Sequence, residues 1–380
     1  ENISLGRREG LPSPYREASV EDNLILFKRL LEGTLEGYIV RAKIDMEHPN
    51  KAMRDPTLYR RIDKEHQRTG DRFTFYPTYD FACPLLDSIQ GVTFALRSNE
   101  YRDRDETYAW LCKALEMRQS KLKEFARLEI KGWDLSKRSL KAKIARGELS
   151  GWDDPRAPTL RGLLASGLQI EALKKYVLSF GYSPKQVSDD GLKLYALNTK
   201  ILDPKVPRYT LVPGPGVKLK LLDFAEVGKK VEVQLHPKKA EMGTKTVVYA
   251  KELLLDAEDL TYVEGEEEVS LLSLGNLKEI SKEAPYTGVF VKDADFRKTR
   301  WKLSWLPLTD PPSHRKIILL TVRDVALQPC WDTDLGWAEE AVKDLPLGTV
   351  IQFIRYGYFK KVKEDVFLQI PTGHRKEGRL

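Results

Sequence analysis

Cysteine is scarce. Cys83, Cys112 and Cys330 are the only three in 380 residues, and no two of them stand at the CxxC spacing of a zinc knuckle or redox pair. That excludes a disulfide framework and leaves them as small buried hydrophobes. Histidine is equally sparse: His48, His66, His236, His314 and His374 show no ligand spacing with one another, so no protein-bound metal is expected. Long apolar runs are missing, and none approaches the roughly 18 residues that cross a bilayer, so no membrane partner is expected. The opening residues from Glu1 show no basic n-region, apolar h-region or cleavage site. On that reading there is no signal or transit peptide, and the cytoplasm is the expected compartment. Internal repeats, heptads and low-complexity tracts are also absent.

What is present is an ordinary globular composition, with 41% hydrophobic and 31% charged residues, on a chain long enough for two or three domains. The net charge of +7 and pI near 9.0 suit a polyanionic partner, because neutralising phosphates releases counterions. A solvated basic surface accounts for the same charge equally well.

The pattern along the chain changes character three times. Ser19-Val20-Glu21-Asp22 reads as a capped helix start, with Leu24, Phe27, Leu30 and Leu31 at helical spacing and a stop at Gly33. From Tyr38 the period becomes two, with Tyr38, Val40, Ala42, Ile44 and Met46 on one side, which predicts a half-buried strand. Strand-like residues 73–76 and 92–96 and a helix carrying Tyr108, Leu111, Cys112 and Leu115 follow, so α/β topology is expected here. Residues 140–202 read as helical, with an apolar stripe of Ile170, Leu173, Val177 and Phe180 that stops at Gly181. Beyond Pro204, short alternating runs at 231–235, 246–250, 301–306, 316–322 and 350–358 are punctuated by Pro, Gly and charge, as in β-barrels. Pro213-Gly214-Pro215-Gly216 reads as a rigid loop among them.

Three ordered blocks carry more specific information. The first is Arg54-Asp55-Pro56-Thr57-Leu58-Tyr59-Arg60 with Arg68-Thr69-Gly70. The second runs from Tyr76-Pro77-Thr78-Tyr79-Asp80-Phe81-Ala82-Cys83-Pro84 through Gly91-Val92-Thr93 to Leu96-Arg97-Ser98-Asn99-Glu100-Tyr101-Arg102-Asp103-Arg104. The third is Leu135-Ser136-Lys137-Arg138, then Gly151-Trp152-Asp153-Asp154-Pro155-Arg156, then Pro158-Thr159-Leu160-Arg161-Gly162. Weaker similarity continues at Ile201-Leu202-Asp203-Pro204, Pro207-Arg208-Tyr209, Gly275-Asn276-Leu277 and Pro371-Thr372-Gly373-His374. Their order and spacing resemble the glutamyl/glutaminyl branch of class I aminoacyl-tRNA synthetases, specifically the C-terminal part of an archaeal/eukaryotic-type glutamyl enzyme.

The resemblance implies a multidomain α/β plus all-β chain. Residues 1–75 would be part of a connective, acceptor-binding insertion, and 76–139 the second half of a Rossmann-type catalytic domain with a KMSKS-like loop. Residues 140–203 would be a helical stem-contact region, and 204–380 paired anticodon-binding β-barrels. It also implies L-glutamate, ATP with Mg2+ as substrate, and tRNA-Glu as partners. Asp134-Leu135-Ser136-Lys137-Arg138 stands in the KMSKS position. Lys137 would there stabilise charge growing on departing pyrophosphate. Asp134 departs from the usual apolar or lysine residue at the loop's start. Glu100, Arg127 and Leu128 would meet the ATP ribose and adenine. Tyr79, Asp80, Phe81, Ala82 and Cys83 would line the amino-acid site. Arg97 would pair with the substrate carboxylate, because an isolated buried carboxylate is too costly to desolvate. Glutaminyl relatives carry a small uncharged residue at that position. Phe94 stands where a histidine is usual.

No His-x-Gly-His string occurs in the sequence. The HIGH-bearing first half of the nucleotide-binding fold is therefore expected to be missing, and this chain alone is expected to be inactive. Two other readings remain open at this point: a glutaminyl enzyme, which Arg97 opposes, and a non-catalytic tRNA-binding module.

Overall fold

A computed structural model describes residues 2–185, 188–263, 268–281, 283–292, 295–323 and 330–373. His374, at the edge of the last resembling segment, lies outside the described residues. The chain divides into two compact units, residues 1–128 with 180–187, and residues 129–179 with 188–380.

In the first unit Ser19 caps the Val20–Leu31 helix by accepting from the Asp22 amide at 3.1 Å, as the sequence predicts. Phe27 from this helix meets Tyr59 and Phe75, with ring centroids 5.4 and 6.2 Å away, over a three-stranded antiparallel sheet. Its strands are Val40–Arg41, Thr57–Arg61 and Phe75–Pro77. The strand predicted from Tyr38 to Met46 is therefore cut to two residues. The cause is Asp55, which is buried at positive φ and takes the place of a partner strand. Its carboxylate accepts from the Ile44 amide at 2.8 Å and pairs with Arg16 at 2.7 Å. Next come the Tyr79–Ile89 helix and a βαβ unit, in which parallel strands Phe94–Ser98 and Lys121–Phe125 are joined through the Asp105–Ala114 helix. Tyr108, Leu111 and Cys112 are buried beneath it, whereas of the other two cysteines expected to be buried Cys83 is half-buried and Cys330 exposed.

The second unit begins with helices Lys137–Ala145, Leu160–Ala165, Ile170–Leu178 and Leu192–Leu202. The predicted Ile170 stripe is not the buried one: Ile170 and Val177 are exposed, while Ala172 and Tyr176 are fully buried. Tyr176 wins because its hydroxyl reaches Asp189 at 2.7 Å. The helix stops at Leu178, short of Gly181. Gly162 is obligatory in the preceding helix, since a Cβ there would lie 2.2 Å from the Ala157 carbonyl oxygen.

Two seven-stranded sheets make up most of the remainder. The first has the order Lys302–Leu303, Glu268–Leu271, Gly275–Lys278, Tyr286–Val291, Val217–Leu222, Glu252–Leu255, Trp305–Pro307. It encloses a core of leucines, including Leu219, Leu253 and Leu277. The second has the order Arg208–Tyr209, Val350–Phe353, Gly357–Lys363, Val366–Ile370, His314–Arg323, Cys330–Glu339, Leu211–Pro213, and packs Ile317, Phe353, Phe359 and Phe367. The region is thus sheet-rich, as expected, but neither ladder closes among the described residues. In each sheet the two edge strands are consecutive in the chain, parted by a single residue, Ser304 in one and Thr210 in the other. The run read as 301–306 is broken at Ser304, and that read as 350–358 is a hairpin turning at Arg355, whose φ is +72°.

Candidate active site

The predicted site residues fall in both units, and each group is described within its own. In the first unit, Arg97 lies on the Phe94–Ser98 strand and is only 7% exposed. Such burial of a guanidinium is unfavourable without compensating partners. Three interactions surround it. Asp105 accepts from Nη1 at 3.3 Å, the Tyr108 ring lies beneath the guanidinium at 4.9 Å, and Glu124 is its register partner on the adjacent parallel strand. Nη2 is buried with no hydrogen-bond partner among the described residues. A fully desolvated, unused donor of this kind is rare in folded proteins and calls for an occupant.

The Tyr79–Ile89 helix supplies the residues predicted to line the amino-acid site. Tyr79 and Cys83 both interact electrostatically with Arg97, and Tyr79 stacks at a tilt on Tyr101 with centroids 5.1 Å apart. Desolvation, followed by the Cys83 contact, pushes the Tyr79 phenol up to about 12, so it stays a neutral hydrogen-bonding group. Desolvation raises the Cys83 thiol too. Asp80 is tied to Arg104 at 2.8 Å, and Phe81 packs on Tyr59 with centroids 5.2 Å apart. Phe81 and Ala82 are both half-buried on the same helix.

Among the predicted ATP residues of this unit, Glu100 and Arg127 are brought together. Arg127 Nη1 lies 3.3 Å from Glu100 Oε1, and Ser98 caps the Glu100 turn. Both side chains are more than half exposed, so their pairing contributes little to stability and is free to rearrange. Leu128 is half-buried at the end of the unit.

In the second unit, residues 134–138 form a loop opening into the Lys137–Ala145 helix, with Ser136 as its N-cap, accepting from the Ser139 amide at 3.3 Å. Asp134 explains its own presence here. It accepts from the Ser136 amide at 3.2 Å, from the Ser139 hydroxyl, and from Lys143 Nζ at 3.1 Å. Burial opposes its charge, yet these hydrogen bonds outweigh that effect and hold the carboxyl below its ordinary value. Leu135 is half-buried, whereas Ser136, Lys137 and Arg138 are exposed. The Lys137 side chain makes no hydrogen bond or ion pair among the described residues, so a braced loop presents an exposed cation. Downstream, the buried Asp154 organises the third resembling block. It binds the Ser150 amide at 2.9 Å and the Arg156 guanidinium at 2.7 and 2.9 Å.

Sequence reasoning missed Asp105 and Glu124. The period-two run Lys121-Leu122-Lys123-Glu124-Phe125 flags Glu124 as facing one side of a strand, but the register that sets it beside Arg97 is a tertiary property. The run 355–360 interleaves aromatic and basic residues. Tyr358 and Phe359 are buried, and Lys360 caps the carbonyls of Leu164 and Ala165.

The chain thus carries a βαβ unit with a buried, half-satisfied arginine near the end of its first strand, and a sheet-rich region follows in sequence. Two family models match in order: the "tRNA synthetases class I (E and Q), catalytic domain" over residues 1–204, and the corresponding "anti-codon binding domain" over residues 206–292. The chain belongs to the class I glutamyl/glutaminyl tRNA synthetase family. It is 37% identical to the "Probable glutamate--tRNA ligase, cytoplasmic" of Schizosaccharomyces pombe, covering 94% of this chain and 53% of that protein. It is likewise 37% identical to the "Glutamate--tRNA ligase, cytoplasmic" of Saccharomyces cerevisiae, over 98% of this chain and 56% of that protein. To the "Bifunctional glutamate/proline--tRNA ligase" of Drosophila melanogaster it is 38% identical, over 82% of this chain and 19% of that protein. The chain thus spans about half the length of the two yeast relatives.

Proposed function

We propose that the protein is a glutamate–tRNA ligase acting in the cytoplasm, which activates L-glutamate with ATP and esterifies tRNA-Glu. A glutamate α-carboxylate oxygen attacks the α-phosphorus of ATP, the bond to pyrophosphate breaks, and glutamyl-adenylate forms, with magnesium arriving on the nucleotide. A hydroxyl of the terminal ribose of tRNA then attacks the activated carbonyl, and AMP leaves. Lys137 follows the charge onto departing pyrophosphate, stabilising the transition state more than the ground state. Within the first unit Glu100, Arg127 and Leu128 are assigned to the nucleoside, and within the second unit residues 134–138 are assigned to its phosphates. Arg97 takes the γ-carboxylate, and Tyr79 to Cys83 form the wall beside it.

The observation that carries this reading is the buried Arg97 Nη2 without a partner, since a substrate carboxylate would satisfy it with a charge-assisted hydrogen bond. A neutral glutamine amide satisfies it less well, which disfavours the glutaminyl reading. The names of the relatives support the same choice.

In the same reading, residues 1–75 contribute to the acceptor-binding insertion, 76–139 to the catalytic domain, 140–203 to stem contact, and 204–380 to anticodon binding. The two sheets there would curl into barrels, an inference supported by edge strands parted by one residue. The test is aminoacylation by the full-length protein with glutamate and with glutamine on each cognate tRNA. Charging of tRNA-Gln with glutamine and no charging of tRNA-Glu would overturn the proposal.

A further inference from the structure

Arg97 faces two carboxyl groups rather than one. Asp105, the first residue of the Asp105–Ala114 helix, takes Nη1 at 3.3 Å, and Glu124 sits opposite on the neighbouring parallel strand. Glu124 Oε1 is buried with no hydrogen-bond partner among the described residues. The unused donor of Arg97 and the unused acceptor of Glu124 thus belong to register-paired residues. Two carboxyls beside one buried guanidinium influence each other, so that ionisation of one disfavours ionisation of the other. Burial first, then the hydrogen bond and charge of Asp105, raise Glu124 above the usual carboxylate range, against the opposing pull of Arg102 and Arg97.

We propose that Asp105 and Glu124 together gate Arg97: Asp105 positions the guanidinium through one nitrogen, and the ionisation of Glu124 decides whether the other nitrogen is offered to an incoming carboxylate. This rests on the reading of Arg97 as the γ-carboxylate's partner. With Glu124 protonated, the acid pair carries one negative charge, matched to Arg97, and Nη2 stays open to substrate. With Glu124 ionised, a second anion faces the guanidinium and repels the γ-carboxylate, whereas a neutral amide is scarcely affected. The other groups around this cluster are Arg102 from the preceding turn, Tyr108 with its partner Asp87, and Tyr79 and Cys83 from the facing helix. Tyr79, Cys83 and Tyr108 are all held above their ordinary values, which keeps them neutral at neutral pH.

The test is the KM for glutamate of the full-length protein measured across the pH range in which the protein stays folded, in the wild type and in Glu124→Gln. Wild-type KM is expected to rise roughly tenfold as Glu124 ionises, while the variant keeps a low KM throughout. Superimposable KM profiles overturn the gate, as does a variant whose kcat and KM worsen alike at every pH, the signature of a structural role. A second measurement needs no substitution. The Glu124 carboxyl carbon, followed by NMR against pH, must titrate at higher pH when glutamate saturates the site, because linkage is reciprocal. An unchanged midpoint contradicts the proposal. Arg97→Ala in the same assay separates the two levels. Loss of glutamate preference there, with Glu124→Gln tracking the wild type, sinks the gate alone. An equal fall for glutamate and glutamine sinks the reading beneath it.

Discussion

Arg355 grips Asp259 with both terminal guanidinium nitrogens, at 2.6 and 2.8 Å, across 96 residues of sequence. Asp259 sits in the Ala257–Tyr262 helix that follows a strand of the first seven-stranded sheet, and Arg355 in a turn of the second. The adjacent Tyr356 hydroxyl reaches Asp256 at 2.5 Å, so the two sheets are latched by neighbouring contacts. Asp259 is 0% exposed, and removing Arg355 takes two charge-assisted hydrogen bonds from a buried carboxylate. Arg355→Ala is expected to destabilise the second unit by about 3–5 kcal/mol. The double variant with Asp259→Ala should lose far less than the sum of the two single losses. Additive losses in a denaturation series would show that the latch is not a coupled pair.

Asp154 gives a pH dependence of defined sign. Burial raises its carboxyl, but hydrogen bonds from Arg156 and two backbone amides prevail and hold it at about 2. Its folded value lies below its unfolded one, so the stabilisation is present above about pH 4 and is lost as pH falls through about 2. The amount is about 2–3 kcal/mol. Asp154→Asn should lower stability at neutral pH by that order and flatten the acid limb. Urea denaturation midpoints across this range decide it, and an unchanged acid slope in the variant rules Asp154 out as the source.

The 134–138 loop separates bracing from chemistry. Lys137→Ala is expected to slow adenylate formation by roughly 10²–10³, the usual loss when one group that stabilises transition-state charge is removed. Because the interaction strengthens only as pyrophosphate departs, the loss should fall on kcat more than on KM for ATP. Asp134→Ala, which frees Ser139 and Lys143 but leaves the cation, should cost less. ATP–pyrophosphate exchange by the full-length protein with tRNA present measures both. A larger effect at Asp134 than at Lys137 would assign the loop a structural role only.

Local chemistry was legible in the sequence wherever it was contained in a few residues. The Ser19 cap needed nothing beyond its neighbours, and the runs at 231–235, 246–250 and 316–322 each overlap a strand, though with shifted edges. The strand predicted from Tyr38 failed because a carboxylate eleven residues away satisfies the Ile44 amide instead of a neighbouring strand. The 350–358 run concealed a turn, since Arg355 adopts a left-handed backbone that glycine ordinarily signals. Arg97 was found through family resemblance, but what surrounds it was not. Asp105 and Glu124 reach it only through a helix start and a strand register fixed by tertiary packing.

The central claim is that Arg97 selects glutamate by pairing with its γ-carboxylate in a desolvated pocket. Removing the guanidinium strands that carboxylate without a counter-ion, at a cost on the order of 3–5 kcal/mol. The direct measurement is kcat/KM for glutamate and for glutamine in Arg97→Ala, made in the full-length protein with tRNA present. The account predicts a fall of roughly 10²–10⁴ for glutamate and far less for glutamine. A fall by the same factor for both amino acids would mean that Arg97 holds the fold together and does not read the substrate.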